Sequence, residues 1–137
     1  MEKELLFEIK ENTQSVNIKE LNEKGSILDI TLAGKVSGKT TGIIMTTHNM
    51  VMKADGAVED DLRSMIFTND GPIRVTGKAM GKLVPHGPDP TIEKIEENLT
   101  FNTPSPKLAY LNTTKVWAEA TYNIATGEYS GKVYTLK

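Results

Sequence analysis

The chain contains no cysteine. That excludes disulfides, thiolate metal sites and cysteine nucleophiles. Small secreted domains often depend on disulfides, so a cytoplasmic location is expected. A basic excess is also missing: 16 basic side chains stand against 18 acidic ones, for a net charge of −2. Nucleic-acid binders draw much of their affinity from neutralising phosphates, so no nucleic-acid partner is expected. No apolar run approaches the roughly 20 residues of a membrane span. Met1-Glu2-Lys3-Glu4-Leu5-Leu6-Phe7-Glu8 holds no apolar signal core, so no membrane partner is expected either. Two glycosylation sequons, at Asn98 and Asn112, are read as chance matches. There is no internal repeat and no low-complexity segment.

What remains is an ordinary globular composition, 38% hydrophobic and 25% charged over 137 residues. That length suits a single domain spanning 1–137, with one core. Short β-prone runs are split by Gly, Asn, Asp and Pro. Leu6–Ile9 and Ser15–Ile18 read as strands. Ser26–Ala33 alternates, with Ile27, Asp29, Thr31 and Ala33 on one face and Leu28, Ile30 and Leu32 on the other. Ile43–Lys53, Val58–Thr68 and Ile73–Val84 form a three-strand meander, with turns at Asp55-Gly56 and Asn69-Asp70-Gly71. Pro85–Pro90 is a loop, because its prolines remove donors and fix φ. Thr91–Phe101 mixes helical spacing with a strand-like end, and the strand is favoured. Thr103–Lys107 is a loop. Lys115–Tyr122 and Glu128–Leu136 close the chain as strands. About eight strands without intervening long helices predict an all-β antiparallel barrel or sandwich.

Ala33-Gly34-Lys35-Val36-Ser37-Gly38-Lys39-Thr40 imitates a phosphate-binding loop. The first glycine falls one residue late, and Thr41-Gly42-Ile43-Ile44 is a poor helix start. The glycines are expected to serve a bend or close approach in a curved sheet. The chain has two histidines, His48 and His86. His86, between Pro85 and Gly87, is expected in an exposed loop. His48 shares a strand face with Met50 and Met52. Neither has a carboxylate at metal-ligand spacing, so no metal site and no cofactor are expected.

On the strand from Glu59 to Phe67, Glu59, Asp61, Arg63, Met65 and Phe67 share one face. Val58, Leu62 and Ile66 mark the other, with Asp60 and Ser64 beside them. If the first face is interior, Asp61 and Arg63 form a buried pair able to orient a polar ligand or hold a base. If it is exterior, they are a solvated cross-strand set. Trp117, Tyr110, Tyr122, Tyr129 and Tyr134 fit barrel core or rim packing.

The chain resembles an uncharacterised family of small proteins, a domain of unknown function grouped with the allene oxide cyclase-like β-barrels. The resemblance runs from about Gly34 onward. It rests on Asp55-Gly56, Asp61-Leu62-Arg63 and Thr68-Asn69-Asp70-Gly71-Pro72-Ile73, then on Phe101-Asn102-Thr103, Tyr110-Leu111-Asn112 and Val133-Tyr134. Tyr110 stands where the family usually has Trp. His48-Asn49 replaces the family's Asp-Trp, which implies a different pocket. The N-terminal third matches poorly. The resemblance implies a closed barrel and does not decide which face of the Glu59–Phe67 strand is inside.

The resulting expectation is a barrel that binds a small, partly apolar molecule; catalysis, if present, would be an isomerisation or cyclisation. Asp61 would be its base, Arg63 an orienter or anion anchor, and His48 an auxiliary acid or base. Glu59, Met50, Met65, Phe67, Tyr110 and Asn112 would line the ligand. The alternative is a non-catalytic homo-oligomeric scaffold or binding module with a filled barrel.

Overall fold

The computed structural model describes residues 3–83 and 91–136, without the side chains of residues 82, 83 and 136. The expected loop at Pro85–Pro90, with His86, lies outside the described residues. Eight strands follow one another around a closed antiparallel barrel, each paired with its neighbours in sequence. They are β1 (Lys3–Asn22), β2 (Gly25–Gly38), β3 (Gly42–Lys53), β4 (Ala57–Thr68), β5 (Gly71–Leu83), β6 (Ile92–Asn102), β7 (Val116–Asn123) and β8 (Glu128–Leu136). A 3-10 helix, Pro106–Asn112, links β6 to β7. Of the barrel and the sandwich that the alternation allows, the barrel that the resemblance implies is present, and β8 closes it onto β1. Among the described residues no helix is long and apolar enough to cross a membrane.

The two strands expected at Leu6–Ile9 and Ser15–Ile18 are one long strand. Register shifts at Thr13/Ser15 and Ile18/Glu20 interrupt its alternation, which is why the sequence reads as two pieces. Thr91–Phe101 resolves as strand: Glu93, Ile95, Glu97, Leu99 and Phe101 are buried while Lys94, Glu96, Asn98 and Thr100 are exposed. Gly34 and Gly38 of the imitation phosphate loop lie in β2, and Gly42 beyond it opens β3. A side chain at Gly34 would meet the Lys10 carbonyl, and one at Gly42 the Phe67 carbonyl. They serve close strand approach, and a strand rather than a helix follows them.

The barrel has two unlike ends. At one, the 3-10 helix turns Leu108 and Leu111 inward. Beneath them pack Phe7, Ile44, Ile66, Ile73, Phe101 and Val133, all nearly or fully buried. Phe7 and Phe101 stack with ring centroids 6.0 Å apart. At the other end the β1–β2 hairpin overshoots the barrel. β1 pairs with β8 only over Lys3–Asn12 but continues along β2 to Asn22. Val16 and Ile18 lie opposite Ile30 and Leu28, so they share the inner face, yet they are 51% and 58% exposed.

Candidate functional site

Strand alternation turns a set of polar side chains into the barrel between the apolar end and the overshooting hairpin. β3 supplies Thr46 and His48, β4 supplies Asp60 and Ser64, β1 supplies Glu11, β6 supplies Glu93 and Glu97, and β8 supplies Tyr129. Every one of them is buried, Tyr129 at 6% exposure included. Among the described residues the interior thus encloses four carboxyl groups and one imidazole. Among the described residues no lysine or arginine is buried with them.

His48 Nδ1 lies 2.5 Å from Asp60 Oδ2, both deeply buried. Burial opposes the charged ring, but the hydrogen bond and charge of Asp60, with Glu97 and Glu11 behind it, outweigh burial and raise the His48 pKa. Tyr129 donates its hydroxyl to Glu97 Oε1. Burial raises the Glu97 pKa, and His48 and the Tyr129 bond offset only part of that rise. Burial and the Glu97 charge likewise hold the Tyr129 phenol well above its usual range. Thr46 donates to Glu11 Oε1 at 3.2 Å and lies 2.7 Å from Ser64 Oγ. Burial raises the Glu11 carboxyl to about 7 despite the Thr46 bond and His48.

Glu93 is the least compensated member of the set, with 0% exposure to solvent. Neither of its carboxyl oxygens has a hydrogen-bond partner, and Glu11 Oε2 and Asp60 Oδ1 also lack one. Burial, then repulsion from Asp60 and Glu97, raises its pKa to about 7 against the pull of His48. A side chain at Gly81 would come within 3.2 Å of Glu93 Oε1, so the glycine leaves the room that this carboxyl takes. Gly131 does the same for the Tyr129 ring, whose hydroxyl would lie 3.0 Å from an added carbon.

The space left is small. A cavity of about 20 Å³ is bounded by Glu11, Thr46, His48, Ser64, Glu97 and Tyr129 among others, which is room for one water. A second, of about 10 Å³, lies between Ile30, Leu32, His48, Met50, Ile95, Tyr122 and Tyr129. A larger concavity, about 750 Å³, is an open groove on the outer face of β5–β8 around Met80, Lys94, Glu96 and Lys132. The polar chemistry is inside the barrel, so the groove's size does not make it the site. Among the described residues no group of three or more acidic or histidine side chains has the geometry to hold a metal ion.

Of the residues expected to form the site, the fold brings only His48 and Met50 into the interior. Asp61 and Arg63 point outward, so the interior pair considered above does not form. The inward carboxylate of β4 is its neighbour Asp60. The reason is one residue of strand parity: Val58, Leu62 and Ile66 take the core side and carry Asp60 with them. Asp61 instead meets Lys78 at 3.4 Å and Glu59 meets Lys53 at 3.0 Å, both at the exposed surface. Met65 and Phe67 share that outer face, and Tyr110 is exposed on the 3-10 helix. Asn112 clamps the segment after β6: its Oδ1 accepts from the Thr103 amide at 2.7 Å and its Nδ2 donates to the Thr103 carbonyl at 3.0 Å. Glu11, Glu93, Glu97 and Tyr129 were not singled out by sequence. The signal available for β6 was its wholly polar outer face, Lys94, Glu96, Asn98 and Thr100, which forces Glu93 and Glu97 inside with Ile95 and Leu99.

No protein-family model matches the chain, and no curated protein matches it in sequence. Solved structures do match in fold. A protein of unknown function from Clostridium acetobutylicum aligns with a TM-score of 0.87 at 20% identity, over 100% of both chains. A β-barrel-like protein from Acinetobacter baumannii aligns at 0.84 and 20% identity, over 99% of this chain and 96% of its own. An enzyme from Penicillium herquei aligns at 0.69 and 22% identity, over 99% and 94%. The chain shares its fold with these proteins, and in this chain that fold is a closed eight-stranded barrel.

Proposed function

We infer that the barrel binds a small, partly apolar molecule from its hairpin end and uses the buried acids for proton transfer, in an isomerisation or cyclisation. The observation that carries this reading is Glu93, a fully buried carboxyl with both oxygens unpartnered. Buried acids without partners cost stability, and a barrel serving only as a scaffold gains nothing from them. Carboxyls held near neutrality can both give and take a proton at physiological pH. His48–Asp60 would serve as the second acid–base pair. The apolar body of the ligand would rest against Met50, Met52, Leu28, Val16 and Ile18, where Met side chains adapt to shape. Similarity to an enzyme of the same fold supports catalysis only as analogy. The absence of cysteine supports placing this activity in the cytoplasm.

One observation favours a second reading, a non-catalytic, homo-oligomeric module. The interior cavities, about 20 and 10 Å³, admit no more than water unless side chains move. Methionine-methyl NMR separates the two. On adding cyclohexanone, an enolisable ketone, the Met50 and Met52 methyls shift and exchange of its α-protons with solvent accelerates. The exposed Met45 and Met80 serve as controls. Binding without accelerated exchange leaves a binder and removes the catalyst. Met50 and Met52 signals that stay fixed up to saturating ketone leave the filled module standing.

A further inference from the structure

The interior is short of positive charge. Glu11, Asp60, Glu93 and Glu97 face inward from three strands, and His48 is the one cationic group buried with them among the described residues. His48 is committed to Asp60, and the Tyr129 hydroxyl is committed to Glu97. The atoms left without partners are all carboxyl oxygens: Glu11 Oε2, Asp60 Oδ1 and both oxygens of Glu93. Such a set offers acceptors and repels anions. Building on the ligand-binding reading above, we propose that the polar head of the ligand is an ammonium group, received by Glu93 and Asp60.

The groups around Glu93 support this assignment. Tyr122 lies opposite it on β7, Gly81 faces it from β5, and the charges of Asp60 on β4, His48 on β3 and Glu97 on its own strand act on it. Tyr122 has its hydroxyl 2.8 Å from Thr13 Oγ1, so it already has a partner. Among the described residues the positive member is His48, whose charge Asp60 shares. An ammonium N–H set donates to several oxygens at once and supplies the missing charge, where a hydroxyl would supply one donor and no charge. Glu93 is half protonated near pH 7. An arriving cation favours its ionised form, so binding expels protons and strengthens as pH rises from 6 to 8.

The test uses benzylamine, benzyl alcohol and benzoate, which share a ring and differ in their heads. Binding is followed through the His48 ring NMR signals, with calorimetry in two buffers of different ionisation enthalpy. Benzylamine is expected to bind most tightly, benzoate not at all, and benzylamine alone to release protons at pH 7. Glu93→Gln is expected to weaken benzylamine roughly tenfold or more, the loss of one charge-assisted contact, with little change for benzyl alcohol. Benzyl alcohol or benzoate binding as tightly as benzylamine overturns the ammonium assignment and leaves interior binding intact. No change at His48 with any of the three overturns both readings. The proton release is measured on the wild-type chain, so the proposal stays testable if the Gln variant fails to fold.

Discussion

At the end closed by the 3-10 helix, the inward positions of the strands carry Phe7, Ile44, Ile66, Ile73, Phe101 and Val133. Towards the overshooting hairpin, the same barrel turns in Glu11, His48, Asp60, Glu93 and Glu97. Burial is equally deep in both halves, but its consequences are opposite. Removing apolar carbon from water stabilises the first half by roughly 25 cal/mol for each Å². Removing carboxyls from water destabilises the second unless protons or partners neutralise them. One half holds the barrel shut, and the other carries a cost that the proposed function accounts for.

The largest expected effect lies in the apolar half. Phe7→Ala removes a stacked ring and should cost about 3–5 kcal/mol in a denaturant titration. A loss under about 1 kcal/mol, the ordinary mean for point mutants, would mean that this half does not dominate the fold. The next effect is the pH dependence of the acidic half. The folded-state pKa values of Glu11 and Glu93 are raised from 4.5 to about 7, and that of His48 is raised above 6.5. Groups raised in the folded state contribute fully below their unfolded values, and that contribution is lost as pH rises through the folded ones. Stability should therefore fall between pH 5 and pH 8, by about 1.4 kcal/mol for every tenfold by which folding tightens a group's hold on its proton. A flat or rising melting temperature over that window would show the interior acids to be solvated.

Glu93→Met tests the same half from the other side. It replaces a buried acid with an apolar chain of similar length and should stabilise the protein at pH 8 by about 1–3 kcal/mol. At pH 5, where the acid is neutral, the gain should shrink. A clear loss at pH 8 would make Glu93 a structural element. The smallest effect belongs to the outer face. Asp61→Asn, with Asp61 exposed beside Lys78, should stay within about 0.5 kcal/mol and leave ligand binding unchanged.

The all-β antiparallel class was legible in the sequence because alternation, Asp-Gly turns and scarce helical spacing all point one way, and the family resemblance chose the barrel over the sandwich. Asp55-Gly56 and Asn69-Asp70-Gly71 do sit at the two turns of the β3–β4–β5 meander. The site was harder to read. On β4 each face carries acids, so charge gave no reason to choose Asp60 over Asp61. Only the company of Val58, Leu62 and Ile66 decides it. On β1 the two register shifts scramble the alternation, and Glu11 lies just before the first of them. His48 was found because Met50 and Met52 share its face. Its partner, 12 residues away in sequence, comes beside it only when β3 and β4 pair.

The proposed function requires the acids of the hairpin half to be withdrawn from water. Carbon-detected NMR titration of the side-chain carboxyls tests this directly. Glu11 and Glu93 should titrate near 7, apart from the surface glutamates. Midpoints at the ordinary value of 4.5 for both residues would contradict it.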